Sequence, residues 1–389
     1  MRSLRNSTLV HLLAVIWFVL SPSAVTLASA TDDIIICIKY ETHFEDWEMG
    51  DYYKFSSPHD YDAIRPHVRV RDNDTSSVIY NSYTNPGNCT PTLSLDSAHD
   101  FEIKVYAAAR LSNNNEIKVY DNYLDPVWHA QVLSASWNPL RDGTYTLVHQ
   151  YNSTFKVSNV LAAAGWAVDR RHAGLSNLDI TYFTDPCPGS TNSCFQVNGG
   201  NHRIMIGPDD LDRKSTITHE TGHEILYQKN GNDGHTNDCT YEGTGDCWDS
   251  RFCDTCHCNR CLEYQSCASW EGFAEFYMVA AWNDAGGADC DYNDNNESCE
   301  NDGNWISEGN CCQTCFGRAT EWDWVHFWWD MYSDEGYAVS DIAQIYNISN
   351  PENWDPWYDV YYLIKDAAMD FGVSESVWDD WADFNGIGQ

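Results

Sequence analysis

Thr218 to Glu224 reads THETGHE, and further along the chain Ser269 to Trp282 reads SWEGFAEFYMVAAW. The first stretch carries His219, Glu220 and His223 as HExxH, inside a segment from about Ser215 to Asn230 that is predicted as one helix with its stop at Gly231. Spacing i, i+4 puts both imidazoles on one face, one turn apart, where they can bind a single metal ion. Glu220 then sits beside them, within reach of a water on that ion. In the second stretch Glu271 and Glu275 are also i, i+4, within a run otherwise apolar enough to be buried. A carboxylate buried without a partner costs several kcal/mol. A metal for Glu271 and a ligating imidazole N–H for Glu275 would supply those partners.

A catalytic zinc takes three protein ligands and keeps one position for water. The metzincin pattern requires Gly three residues after the second His and a third His three beyond it, but Leu226 and Lys229 stand there. HETGH together with WEGFAEFY instead resembles the gluzincin zinc metallopeptidases, whose second helix supplies a Glu ligand followed four residues later by an acidic residue. That resemblance implies Zn2+ bound by His219, His223 and Glu271, with Glu220 as general base and Glu275 supporting a ligating histidine. The sequence departs from the family in spacing, since 47 residues separate His223 from Glu271. Most of the surplus is a cysteine-dense insert, Cys239 to Cys267, which disulfides can fold back close to its starting point.

Other residues compete for these roles. His235 is an alternative third ligand, and His257, Glu242 and Glu263 lie in or beside the insert. Cys253, Cys256, Cys258 and Cys261 form CxxCxCxxC, a structural zinc pattern in the cytosol but a disulfide framework in an exported chain. For a donor to the transition-state oxyanion, TEWDWVHFWWDMY offers His326 and Tyr332; the alternative is an aromatic helix packed in the core. The strand His202 to Ile206 is expected to form a sheet edge on which an extended peptide lies as an added strand.

Composition narrows the function classes. The 389 residues hold 58 Asp plus Glu against 22 Lys plus Arg, a formal charge of −36. Such acidity argues against nucleic acid or an anionic membrane as partner. Sixteen cysteines point to an oxidising compartment, hence a secreted or periplasmic protein. Residues 1–30 read as a signal peptide, with Arg2 and Arg5, an apolar run from Leu9 to Leu20, and Ala28-Ser29-Ala30 before the cleavage point. No later run reaches membrane-spanning length.

Residues 31–125 read as β structure, with strands at Ile34 to Tyr40, Val68 to Val70, Ser77 to Tyr80, Glu102 to Ala107 and Glu116 to Tyr120. The last two bracket the turn Ser112 to Asn115. The stretch Val68 to Leu95 with Phe101 to Ala109 loosely resembles the transthyretin-like modules that accompany secreted peptidases. Cys37 and Cys89, alone before residue 150, are expected to pair, and Cys187 and Cys194 could close a later loop. The expected architecture is α+β: a β-sandwich over 31–125, then a zincin-like metallopeptidase domain over 126–389 containing the disulfide-rich insert 239–267.

Asp289 to Glu300 offers oxygen ligands at the spacing of a calcium loop, but position six is Asp294 where an EF-hand needs Gly. Ca2+ binding there and a solvated acidic loop both remain open. The function expected is a monomeric secreted peptidase acting on peptide or protein substrates. The alternative is a secreted adhesive or binding protein that retains the fold without turnover, and a zymogen held by its N-terminal module is a third form.

Overall fold

The computed structural model describes residues 31–40, 42–45, 52–55, 65–111, 113–122, 125–128, 130–137, 142–149, 157–171, 173–182, 193–198, 201–230, 265–282, 318, 321–350 and 360–388. The expected leader, most of the cysteine-rich insert, the loop Asp289 to Glu300, Cys187 and the alternative ligands His235, Glu242, His257 and Glu263 lie outside them. The chain is α+β. Its first strands are β1 (Thr31–Tyr40), β2 (Thr42–Glu45), β3 (Tyr52–Phe55), β4 (Arg65–Asp72), β5 (Val78–Tyr83) and β6 (Leu93–Asp96). Next come β7 (Phe101–Arg110), β8 (Glu116–Asn122), β9 (Asp125–Trp128), β10 (Ala130–Trp137) and β11 (Gly143–His149). Then follow α1 (Val157–Arg170), β12 (Leu178–Tyr182), β13 (Cys194–Asn198), β14 (Asn201–Ile206), α2 (Lys214–Asn230) and α3 (Gln265–Trp282). The chain ends in α4 (Glu321–Ser333), α5 (Val339–Ile348), α6 (Val360–Phe371) and α7 (Glu375–Phe384). No described helix is long and apolar enough to cross a membrane.

Two apolar clusters organise these elements. Strict alternation along β4 buries Val68 and Val70, and along β7 it buries Phe101, Ile103 and Val105. Across from them lie Ile34, Ile36 and Ile38 of β1 with Leu93 and Leu95 of β6, so two separate sheets share one core. In the smaller sheet β1 runs parallel to β11 and antiparallel to β6. The Cys37–Cys89 disulfide forms as expected and ties β1 to the segment before β6.

The larger sheet has nine strands, with the order β13-β14-β12-β8-β7-β4-β5; β10 also pairs with β7 and β9 with β8. On β7 the alternation ends at Ala107-Ala108-Ala109, all buried, and from there the strand contributes to the second core. Alanine suits this position because both faces are covered. The second core also takes Ile117 and Val119 of β8, Ile180 of β12, Ile204 and Ile206 of β14, and the buried faces of the helices.

The larger sheet continues past residue 125, because β8 pairs in parallel with β12 along Leu178↔Ile117 to Thr181↔Tyr120. One expectation meets a different arrangement. The strand His202 to Ile206 is interior: β14 runs parallel to β12 on one side and antiparallel to β13 on the other, so among the described strands β13 ends the sheet. A short strand such as Cys194–Asn198 carries little pattern of its own, and its pairing is a long-range choice.

Candidate metal centre

α2 is a polar helix with ten of its 17 residues buried. Lys214, Glu220, His223 and Glu224 are among the ten, which is tolerable only where each polar group has a partner. Its entry is fixed by the turn that leaves β14. The Asp210 carboxylate accepts from the N–H and hydroxyl of Ser193, both at 2.8 Å, and from Arg213 at 2.9 Å. Asp212 accepts from Asn159 of α1 at 2.8 Å. The start of α2 is thereby tied to the residue before β13 and to α1.

α3 is the converse, apolar on nearly every side and buried except at Gln265 and Glu275. It crosses α2 at Gly222, the fourth residue of HETGH. A Cβ there would lie 2.8 Å from the Ala274 Cα and 3.2 Å from the Ala274 carbonyl oxygen. The backbones meet because Gly222 has no side chain. On its far side α3 meets α4 through Gly272, where a Cβ would lie 2.6 Å from the Trp324 Cβ and 2.9 Å from the Glu321 carbonyl oxygen. Tyr346 of α5 donates its hydroxyl to the Ser269 carbonyl at 2.6 Å and accepts from Trp328 Nε1 at 2.9 Å. Glu271 thus projects from a helix held on two sides.

At the crossing His219, His223 and Glu271 converge. The two Nε2 atoms are 3.0 Å apart, and Glu271 Oε2 lies 3.2 Å from His219 Nε2 and 2.9 Å from His223 Nε2. Each edge is close to the roughly 3.3 Å edge of a tetrahedron with bonds of about 2.0 Å. The imidazole planes stand at 85°. Two neutral-capable nitrogens with one carboxylate oxygen form a borderline donor set that suits zinc, so these three residues fit the ion as its protein ligands.

The surroundings favour a cation. His219 Nδ1 faces Glu275 Oε1 at 3.3 Å, the outer carboxylate contact typical of a ligating histidine. Burial alone would lower the His219 pKa, but the charge of Glu275, contacts with Glu271 and Glu275, and the charge of Glu220 outweigh it and hold the pKa well above its usual 6.5. Glu275, Glu271 and Glu220 thus all act on one imidazole. Glu220 is 6% exposed, next to His219 on α2. Phe195 of the edge strand stacks on the His223 ring, with centroids 6.2 Å apart and planes 25° apart.

The two further candidates, His326 and Tyr332, lie on α4. His326 of α4 packs on Trp322 at 4.7 Å and is not among the three converging donors. Tyr332 packs between Phe276 and Trp329. Cys194 and Cys267 are both disulfide-bonded. One further group of metal-capable side chains converges among the described residues: Asp72, Asp74 and His99. There Asp72 is occupied in bracing its own turn, accepting from the backbone of Asp74 and Thr75 and lying 2.8 Å from His99 Nδ1.

Phe195, Gly222 and the pair His202–Glu224 were missed in the sequence. Of these, only Glu224 left a signal, as the middle member of Glu220, Glu224 and Gln228 at every fourth residue. In a comparison with protein-family models and with curated proteins, the chain matches none.

Proposed function

We propose that this chain is a secreted, monomeric zinc peptidase of the gluzincin type, in which a zincin-like domain follows a β-sandwich accessory module. The observation that carries the reading is the triangle of His219 Nε2, His223 Nε2 and Glu271 Oε2, with every edge between 2.9 and 3.2 Å. His219 and His223 from α2 and Glu271 from α3 would hold the ion. When bound, zinc supplies Lewis acidity, bringing the pKa of a water toward about 7 and polarising the scissile carbonyl.

The protein's own groups do the rest. Glu275 holds the His219 ring by its outer nitrogen, keeping Nε2 turned toward Glu271. Glu220 takes the proton of the attacking water and delivers it to the departing amine, a role suited to a carboxylate shielded from bulk water beside a cation site. An extended peptide binds as an added strand along β13, the sheet edge whose Phe195 lies against His223. Backbone pairing of that kind gives affinity with little dependence on sequence. The negative charge of the chain argues against nucleic acid as the partner.

The test is metal analysis of the purified chain together with hydrolysis assays of Glu220→Gln. Zinc at one per chain, with hydrolysis in the wild type and at least a 10²-fold loss in the variant at unchanged zinc content, is the expected result. Full activity in Glu220→Gln would overturn the mechanism. A chain that binds no zinc would overturn the site, and bound zinc without hydrolysis would favour a binding protein.

A further inference from the structure

Glu220, Glu224 and Gln228 form one stripe along α2, beside the stripe that carries His219 and His223. The lower two members are bonded into a network that leaves the helix in both directions. The Glu224 carboxylate, 2% exposed at the residue level, lies 2.8 Å from His202 Nδ1 on β14 and accepts at 2.5 Å from Gln228 Nε2. The same Gln228 amide donates to the Asn177 carbonyl at 2.9 Å, and its Oε1 accepts from the N–H and hydroxyl of Ser176, both at 2.7 Å. Asn177 Oδ1 in turn accepts from the Glu116 N–H at 2.9 Å, at the start of β8.

On the other side the His202 ring packs on Tyr227 at 4.5 Å, Tyr227 packs on Phe195 at 5.6 Å, and Phe195 stacks on His223. One connected set of side chains thus runs from β8 across α2 to β14 and the edge strand β13. A buried carboxylate that bonds a histidine and an amide adds little stability compared with an apolar replacement of the same shape. Its effect is directional, because hydrogen bonds to β14 and to the residues just before β12 oppose rotation of the helix.

We infer that Glu224 and His202 are positioning residues, which lock the rotation of α2 against β13 and β14 so that Glu220 on the same stripe faces a peptide laid along β13. The inference rests on the peptidase reading. A helical side chain ends about 6 Å from the helix axis, so a rotation of roughly 10° moves its carboxylate by about 1 Å. A misplacement of that size costs on the order of 10²-fold in rate. A rotation leaves the separation of α2 and α3 unchanged, so small side-chain torsion changes keep His219 and His223 against Glu271 and Glu275. Loosening the network therefore reaches the base before it reaches the ligands.

The experiment compares the full-length wild type with His202→Ala and His202→Asn, the second of which returns an N–H donor near the place of Nδ1. Zinc affinity is measured by competition with a chromophoric chelator, and kcat and KM on a quenched fluorescent peptide well below the melting temperature. His202→Ala is expected to lose about ten- to a hundredfold in kcat, with KM and zinc affinity within about twofold, and His202→Asn to recover most of the loss. An unchanged kcat in His202→Ala would overturn the inference and leave the peptidase reading intact. So would a loss of zinc affinity in step with kcat, which would make the pair a brace for the ligands, or a kcat loss that His202→Asn does not repair. A wild type that holds zinc without hydrolysing peptides would overturn both readings.

Discussion

Replacing Gly222 by alanine tests whether the close approach of α2 and α3 makes the metal site. The new methyl would lie 2.8 Å from the Ala274 Cα, 3.2 Å from its carbonyl oxygen and 3.3 Å from its Cβ. Carbon atoms in contact settle at about 3.5–4.0 Å, so the helices must separate by roughly 0.7–1.2 Å, against backbone that cannot swing aside. Overpacking of this kind costs about 1–3 kcal/mol, and the better helix propensity of alanine returns about 0.5–1 kcal/mol. A net loss of about 0–2.5 kcal/mol follows.

The larger effect falls on the metal. His219 and His223 move with α2 while Glu271 moves with α3, so distances of 3.2 and 2.9 Å across the crossing stretch together. Metal–ligand distances tolerate only about 0.2 Å. Zinc affinity, read by chelator competition, should fall about 10- to 100-fold, the scale seen when support for a ligand is lost. Thermal melting with excess chelator should separately show the smaller loss of the metal-free fold. Unchanged zinc affinity and an unchanged melting temperature would refute the claim that this crossing sets the ligand triangle.

Glu275→Gln removes the charge behind His219 without replacing a proposed ligand, so zinc affinity should fall about 10- to 100-fold by the same titration while the far-ultraviolet circular dichroism is unchanged. In the β region, Glu116 is held down to about 2 from its usual 4.5: burial opposes the shift, but Lys118, Arg110 and Tyr83 outweigh it. A depressed carboxylate pKa gives stability that is complete above pH 4.5 and is lost as the pH falls through 4.5 toward about 2. Glu116→Gln should therefore flatten that part of the acid-unfolding profile, and an unaltered slope there would count against the ion-pair account.

The convergence of His219, His223 and Glu271 was more legible in the sequence than the order of the strands. HETGH and WEGFAEFY are local patterns, and helical spacing alone places both pairs of side chains on faces. Glu275 could be anticipated because a carboxylate in an apolar helix must find a partner. Strand order carries no such mark: that β13 rather than β14 takes the edge, and that β8 pairs with β12 across residue 125, are choices between distant segments. Glycine was equally silent. Gly222 and Gly272 read as weak points in two helices, yet each is where a neighbouring backbone or Cβ comes close.

The two glycines also explain why an apolar helix can present a carboxylate so firmly. Glu271 precedes Gly272, which is pinned by Trp324, and lies three residues before Ala274, which is pinned by Gly222. One helical turn of α3 is therefore fixed from opposite sides, while the Tyr346 hydroxyl holds the Ser269 carbonyl just before it. That turn pushes Glu271 Oε2 to within 3.2 Å of both imidazoles, in a pocket that Glu220 and Glu275 make more negative still. Against the opposing effect of burial, the charges of Glu275 and Glu220, with the contacts of Glu271 and Glu275, hold the His219 pKa well above its usual value. A divalent cation bound by the triad would meet the same charge with coordination bonds, and its binding would release protons. The acidity around the triad would then have a local use that the overall charge of the chain does not reveal.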